Sequence, residues 1–413
     1  MYDLRLTPEQ LEMRDTVRDF VNQEIKPAAL QPSRLEPFEK PLLAKLLGQA
    51  AEMGLRTLTL PEDAGGAGAD CLTSCLVMEE LGTGDPDIAV AMAQTSYVGR
   101  LAYDLASADQ RKLLVKDFVN NDQCHLALVA RDAESQLGWC YHRPLVDGDA
   151  PQAAATRQAN GDWIIDGAAG LVVNAPIARL FVVQARTDAK KTGGNGITTF
   201  LVPRDTAGLN IGEQPKATGT SVRWRHGPIA PVAFRSCRVP ASAVLGKEGQ
   251  ASAAARAHAR RATVELAAVN LGLGRVAYEA AVDYAKIRRQ GGRNIIEHQA
   301  IGTKLADCAI RLELARNLVW KAAWAEDHPE AQVASGAELP LYAMARVYTG
   351  LAVHEVTLLA AECFGAMGVM RDMPLQKYVH DGMVFFHAED SDDAAKLRIA
   401  EAIAGYERSA KTA

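Results

Sequence analysis

Aromatic residues are scarce. Phe, Trp and Tyr make up 6 % of the 413 residues, while Leu and Ala dominate, so helix is favoured over sheet. No apolar run approaches the roughly 18 residues of a membrane span. The N-terminal MYDLRLTPEQ lacks a basic start followed by an apolar stretch, so a cytoplasmic protein is expected. Positive charge is not in excess: the net charge of −5 argues against a general nucleic-acid binder. The seven cysteines are an odd, scattered set and do not read as a disulfide framework. Cys71 and Cys75, four apart on an expected helix, read as a shared buried face. His354-Glu355 begins like a zinc motif, but Leu358 stands where its second His would be, so no metal site is expected. Gly65, Gly66 and Gly68 are not followed by Lys-Ser/Thr, which leaves a plain loop rather than a phosphate cradle.

What is present divides into three. A chain of 413 residues exceeds what one core usually covers. Residues 1–123 read as helical, beginning at Thr7-Pro8-Glu9-Gln10, a Thr N-cap with Pro at the first position. Pro27 and Pro32 are expected to stop that helix, and further helices are expected over 39–53, 70–82, 85–104 and 107–120. Residues 124–245 hold short runs rich in Val, Ile, Phe and Thr, bounded by Gly, Asn, Asp or Pro, as in the antiparallel strands of a small barrel or sandwich. Residues 246–413 return to long helices, expected over 251–290, 297–327, 338–364 and 389–408, which suit a four-helix bundle. The fold class expected is α+β: helical domain, β-domain, bundle.

The motifs in that order resemble the acyl-CoA dehydrogenase family of flavoproteins. The resemblance rests on AEMGLRTLTLPEDAGGAGA (51–69), NGDWIIDGAAGLVVNA (160–175), FLVP (200–203), RVPASAVLGKEGQ (238–250) and YAKIRRQGGRNIIEHQAIGTKLADCA (284–309). MARVYTGLA, ECFGAMGV and YVHDG follow in register, so the likeness covers nearly the whole chain. It implies an FAD enzyme that oxidises an acyl-CoA, or a carrier-protein acyl thioester, to the 2,3-enoyl thioester. An electron-transfer flavoprotein would be the acceptor, and a homotetramer the usual assembly. Neither nucleic acid nor a membrane span is implied.

Near the end stands FFHAEDSDD (385–393). Counted forward from Asp381, the family's catalytic Glu falls on Glu389, which the resemblance makes the base that removes the α-proton. These acids also read as N-terminal helix residues that complement a macrodipole, a reading that fits Asp390, Asp392 and Asp393 in any case. The resemblance places cofactor contacts at Val129, Ser135, Val173, Arg288, Gln299, Glu362, Gly365, Ala366 and Ser391. Ser135, Arg260 and Arg261 would meet the substrate region. Several of these depart from the family pattern. Val129 replaces a Thr, Val173 stands in a segment that has lost its Trp and Thr, Glu362 replaces Gln, Ala366 replaces Gly, and Gly291 replaces an aromatic. The aliphatic replacements remove polar and aromatic flavin contacts without disturbing the fold. They open two alternatives: a flavin-poor partner subunit of a heteromeric enzyme, and a relative doing other chemistry on a thioester. RWRH (223–226) is cationic and aromatic and has no assignment from the sequence.

Overall fold

Thr7 opens the first helix as the sequence requires. In the computed structural model its hydroxyl accepts from Gln10 N at 3.2 Å, and the Gln10 side chain accepts from Thr7 N at 3.0 Å. Two otherwise unmatched N–H groups are thereby satisfied. The structure describes residues 5–35, 40–130, 153–191, 196–213, 225–330, 339–370, 372–387 and 392–404, without the side chains of 252–254, 256 and 392–394.

Helix α1 (Pro8–Phe20) does not end where Pro27 was expected to stop it. A π-helical turn over Val21–Ile25 leads straight into α2 (Lys26–Ala29), which contains Pro27. Lys26 N reaches back five residues to Val21 O, and Pro27 falls at the start of the next segment, where its missing N–H costs nothing. Helices α3 (Ala44–Glu52), α4 (Cys71–Gly84), α5 (Pro86–Leu105) and α6 (Ala108–Leu114) complete the N-terminal part. Asp70 caps α4 through Thr73 N, Asp85 caps α5, and Ser107 with Gln110 repeats the reciprocal cap at α6.

Eight strands follow: β1 (His125–Val129), β2 (Ala154–Arg157), β3 (Trp163–Val173), β4 (Ala178–Arg186), β5 (Ile197–Pro203), β6 (Leu209–Ile211), β7 (Ile229–Val239) and β8 (Val244–Leu245). They form one sheet in the order β6-β7-β3-β2-β4-β5-β8, with β1 beside β4. The sheet is mixed rather than wholly antiparallel: β1 runs parallel to β4, in register from Leu126↔Leu180 to Val129↔Val183. Trp163, Phe181, Phe200 and Phe234 fill its core, with Trp163 edge-on to Phe200 at 5.5 Å.

The C-terminal part contains α7 (Ala251–Ile287), a hairpin of β9 (Arg289–Gln290) and β10 (Arg293–Asn294), α8 (Gln299–Asp327), α9 (Leu341–Phe364), α10 (Leu375–His387) and α11 (Asp392–Ala404). Helix α10 was not expected from the sequence. Its Lys377 and Asp381 are both buried and ion-paired with each other, so polar residues occupy its inner face and blur the apolar period. The segment from Leu341 is long and apolar enough to cross a membrane by composition, a feature the search for unbroken apolar runs passed over. Here it packs against α7 and α8 inside the bundle.

Helix α4 is buried along its whole length and crosses α7 at backbone contact. A Cβ at Gly82 would stand 2.2 Å from Val269 O, and one at Gly272 2.1 Å from Glu79 O, so both crossing points require glycine. The crossing locks the N-terminal helices to the bundle. Glu79 and Glu80 on α4 meet Arg275 on α7, Arg18 on α1 and Arg316 on α8 in one buried ion network.

Candidate active site

The sheet is joined to the helices at the beginning of β1 and the far end of β3. Asn174 follows β3 with φ 66°, a left-handed conformation that Asn tolerates. Its buried amide donates to Ala91 O (2.9 Å) and Thr95 Oγ1 (3.0 Å) on α5, and to Leu126 O (3.2 Å) on β1. This one side chain fixes where Val173 stands relative to α5. Val173 is half-buried and packs on the helical core, whereas Val129 is 1 % exposed and turns into the core of the sheet. At Val129, therefore, only the backbone and the chain beyond it are left to meet a ligand.

His226, the last residue of the unassigned RWRH, lies at the same junction. Its ring is 4.3 Å from that of Phe385 on α10, Nε2 is 3.1 Å from Asp381 O, and Nδ1 is 3.5 Å from Asp87 Oδ1 at the start of α5. Gly227 N donates to the same Asp87 oxygen at 2.9 Å. Sheet, α5 and α10 thus meet where α10 ends at His387. Glu389, two positions further on, Ser391 and Ser135 lie outside the described residues.

A second group of candidates gathers at the other end of the bundle. Arg288 caps α7, and its exposed guanidinium has no partner among the described residues. Gln299 begins α8 and is also exposed. Glu362 ends α9 and is ion-paired with Lys304 on α8. Gly365 follows at φ 56°, with nothing within 4 Å of where its Cβ would be, so the backbone there is open to approach; Ala366 is exposed beside it. Tyr284 stacked on Phe364 at 4.1 Å holds the ends of α7 and α9 together. Lys304 escaped the sequence reading. The signal available was a cation five positions into the helix that Gln299 heads.

Arg260 and Arg261 sit at the opposite end of α7, and both are already engaged with the last turn of α8. Arg260 pairs with Glu326 at 3.2 Å, and Arg261 lies 3.4 Å from Asp327 and donates to Ala69 O at 3.0 Å. Asp327 accepts in turn from Cys71 N and Leu72 N, capping α4 from 256 residues away in sequence. Glu265, one turn further along α7, is fully buried, 3.6 Å from Arg261. Burial pushes its carboxyl above the ordinary range despite Arg261 and Ser74.

Arg261 and Arg288 are separated by about 40 Å of helix at ~1.5 Å per residue. Arg260 and Arg261 are therefore not brought together with the Arg288 group within one chain. The strand-end junction offers apolar surface, and the far bundle end offers a cation and an open backbone.

Together these features define a three-part fold: a mixed sheet set between a helical domain and a helix bundle. Three acyl-CoA dehydrogenase domain families match in order: the N-terminal domain over residues 7–122, the middle domain over 146–234 and the C-terminal domain over 247–404. The short-chain specific acyl-CoA dehydrogenase of Sus scrofa mitochondria is 30 % identical over 95 % of this chain and 90 % of its own length. An acyl-CoA dehydrogenase of Bacillus subtilis is 30 % identical over 97 % of this chain and all of its own. The structure of butyryl-CoA dehydrogenase from Megasphaera elsdenii superposes with a TM-score of 0.81 over 98 % of this chain and 100 % of the other, at 24 % identity, which speaks for the fold. The chain belongs to the acyl-CoA dehydrogenase family, FAD-dependent oxidoreductases acting on CH–CH groups.

The residues present fit a flavin dinucleotide in kind. The open backbone at Gly365 and the unpaired Arg288 suit a pyrophosphate, and the half-buried Val173 suits the face of an apolar ring. The acid that replaces an amide at Glu362 is neutralised by Lys304, so it does not set a bare negative charge beside a phosphate.

Proposed function

We propose that this chain removes the α-proton and β-hydride of an acyl-CoA, forming the 2,3-enoyl thioester, with Glu389 as the base. FAD, when bound, supplies the hydride acceptor. Val129, Ser135, Val173 and Ser391 would line the ring end of its site. Arg288, Gln299, Glu362, Gly365 and Ala366 would hold the pyrophosphate and adenosine end. We assign the second group to a neighbouring copy, in a homotetramer or a heteromeric relative of it. Junction residues around Asn174 and His226 exclude water and orient the end of α10, from which Glu389 follows. A carboxylate in such a dry setting is a stronger base toward a weakly acidic α-proton. Arg260, Arg261 and Ser135 are the proposed substrate contacts, and an electron-transfer flavoprotein is the proposed acceptor. The six described cysteines are all buried and free, which suits the cytoplasm.

The observation that carries this reading is the end-to-end family match, three domains in order at 30 % identity to full-length dehydrogenases. One observation favours a second reading. Val129 turns inward and Val173 is aliphatic, so this chain brings no hydroxyl of its own to the ring at either position. A flavin-poor partner subunit, or a relative working on a carrier-protein thioester by other chemistry, would tolerate that. A visible absorption spectrum of the purified protein, with and without added FAD, separates the two readings. A flavin band near unit stoichiometry, bleached by an acyl-CoA from a chain-length panel, supports the dehydrogenase. Absence of flavin after reconstitution sinks the lone dehydrogenase and favours the partner subunit.

A further inference from the structure

A cavity of about 420 Å³ opens at the beginning of β1, between α3, the β3–β4 turn and the end of β5. It lies at the opposite end of β1 from Val129, about 13 Å away at ~3.3 Å per residue. Nothing in the proposed dehydrogenase chemistry uses it. Leu47 and Ile177 give it an apolar wall, Gln123, Arg179 and Arg204 stand on its rim, and His125 lines its inside. Among the described residues no carboxylate lines it.

Its two cations differ in what they are free to do. Arg204 donates to Ala175 O and Ala178 O, both at 2.9 Å, which fixes its guanidinium over the turn. Arg179 has no side-chain partner among the described residues and is exposed. Helix α3 adds the positive end of its dipole, since it begins at Leu43 without a side-chain cap and Ala44 lines the same cavity.

His125 gives the cavity its specificity. It is 5 % exposed, and its Nδ1 is 3.0 Å from Thr95 Oγ1. Thr95 has one proton to give, and its hydroxyl donates it to Ala91 O at 2.9 Å, a group that can only accept. Thr95 Oγ1 therefore accepts, from Asn174 Nδ2 and from His125 Nδ1. That assignment puts the imidazole proton on Nδ1 and leaves the lone pair on Nε2. Burial, with the nearby Arg56 charge, holds the ring down to about 4, so it is neutral at pH 7. The ring edge left for the cavity is an acceptor, not a further cation.

We propose that this cavity binds a small carboxylate that also carries a hydroxyl: the carboxylate on Arg179 and Arg204, the hydroxyl donating to His125 Nε2, the carbon skeleton on Leu47 and Ile177. A simple anion would use the arginines alone and leave the acceptor unmatched.

The test is titration calorimetry on the full chain at pH 7 with 3-hydroxybutyrate, butyrate and sulfate, an anion with no hydroxyl to donate. The expected result is saturable binding of 3-hydroxybutyrate, at least ~10-fold tighter than butyrate, since one buried hydrogen bond separates them. Arg179→Ala should weaken it at least ~10-fold at an unchanged unfolding temperature, and Arg179→Lys should restore part of the loss. Three results would overturn the proposal: no saturable heat up to about 20 mM, equal affinity for butyrate or sulfate, or indifference to Arg179→Ala. None of these depends on whether flavin binds.

Discussion

Arg275→Met tests whether the helical domain and bundle are held together by charge or by shape. The Arg275 side chain is 15 % exposed and lies between two carboxylates of α4. It donates to Glu79 at 2.8 Å and binds Glu80 through both terminal nitrogens. Met keeps most of the hydrocarbon stem, so the loss is one of charge rather than packing. Breaking a buried ion pair from one side costs about 3–5 kcal/mol, because the partner stays buried and uncompensated. Here Arg18 still holds Glu80, at 2.7 and 3.2 Å, and Arg316 still holds Glu79 at 3.0 Å. The expected cost is therefore near the lower end, about 3 kcal/mol.

The pH dependence gives an independent reading of the same network. Burial alone would raise the Glu80 carboxyl, but its bonds to Arg275 and Arg18 outweigh burial and hold it below the ordinary range. A carboxyl depressed in the folded state stabilises the fold above its unfolded value, near 4.3, and loses that contribution as pH falls through the folded value. In Arg275→Met burial is opposed by Arg18 alone, so acid unfolding should begin at higher pH. Urea unfolding followed by helical circular dichroism at pH 7, with an acid titration beside it, measures both. The double variant Arg275→Met/Glu80→Gln should cost clearly less than the sum of the two single changes. A cost below about 1 kcal/mol, or strict additivity in the double variant, would mean that the crossing at Gly82 and Gly272 carries the joint and that the charges are incidental.

Glu265 should behave in the opposite sense. Its folded carboxyl is raised, so its contribution is lost as pH rises, and Glu265→Gln should gain on the order of 1 kcal/mol at pH 8 and nothing at pH 4; a lower unfolding temperature at pH 8 would refute this. Glu389→Gln should lower dehydrogenase turnover ~10²–10⁴-fold with flavin content intact, and unchanged turnover removes Glu389 as the base. Lys304→Met should leave the unfolding temperature almost unchanged, because exposed ion pairs contribute little, yet reduce retention of FAD on gel filtration. Adding Glu362→Gln should restore retention. Asn174→Ala strips one buried amide from three acceptors and should cost about 2–3 kcal/mol, read from the urea midpoint.

Features encoded within a few residues were legible in the sequence. The caps at Thr7 and the run of short strands are local, and the strand ends fell where Gly, Asn and Pro placed them. The family order of motifs then supplied the three-part architecture. What escaped was set by partners far away in the chain. Nothing near Glu79 or Glu80 announces Arg275, 195 or more residues later, and Asp327 caps a helix that begins 256 residues before it. Helix α10 was missed for a local reason: its buried Lys377 and Asp381, one turn apart, satisfy each other and interrupt the apolar spacing. Pro27 misled because the rule for proline in a helix presumes a regular register, and the π-turn before it shifts that register by one residue.

The departures from the family pattern fall into two physical kinds, and the structure treats them differently. At the bundle end, the change from amide to acid at Glu362 is answered by a cation, Lys304, one helix away. An unanswered acid beside a phosphate would be costly, and the Lys304 pair removes that cost. At the strand ends, the replacements at Val129 and Val173 meet no such answer. Val129 turns into the sheet core and Val173 packs on the helices, where any apolar side chain would serve. Losing a hydrogen bond to a ring removes affinity and tunes its chemistry, but leaves no buried charge behind. With Glu362 neutralised, the bundle end stays compatible with a pyrophosphate, and the lost ring contacts do not prevent binding there. The pattern therefore favours a chain that retains the dinucleotide end of its site and has altered the flavin end. The expected change is in how the ring is held rather than in whether it is bound.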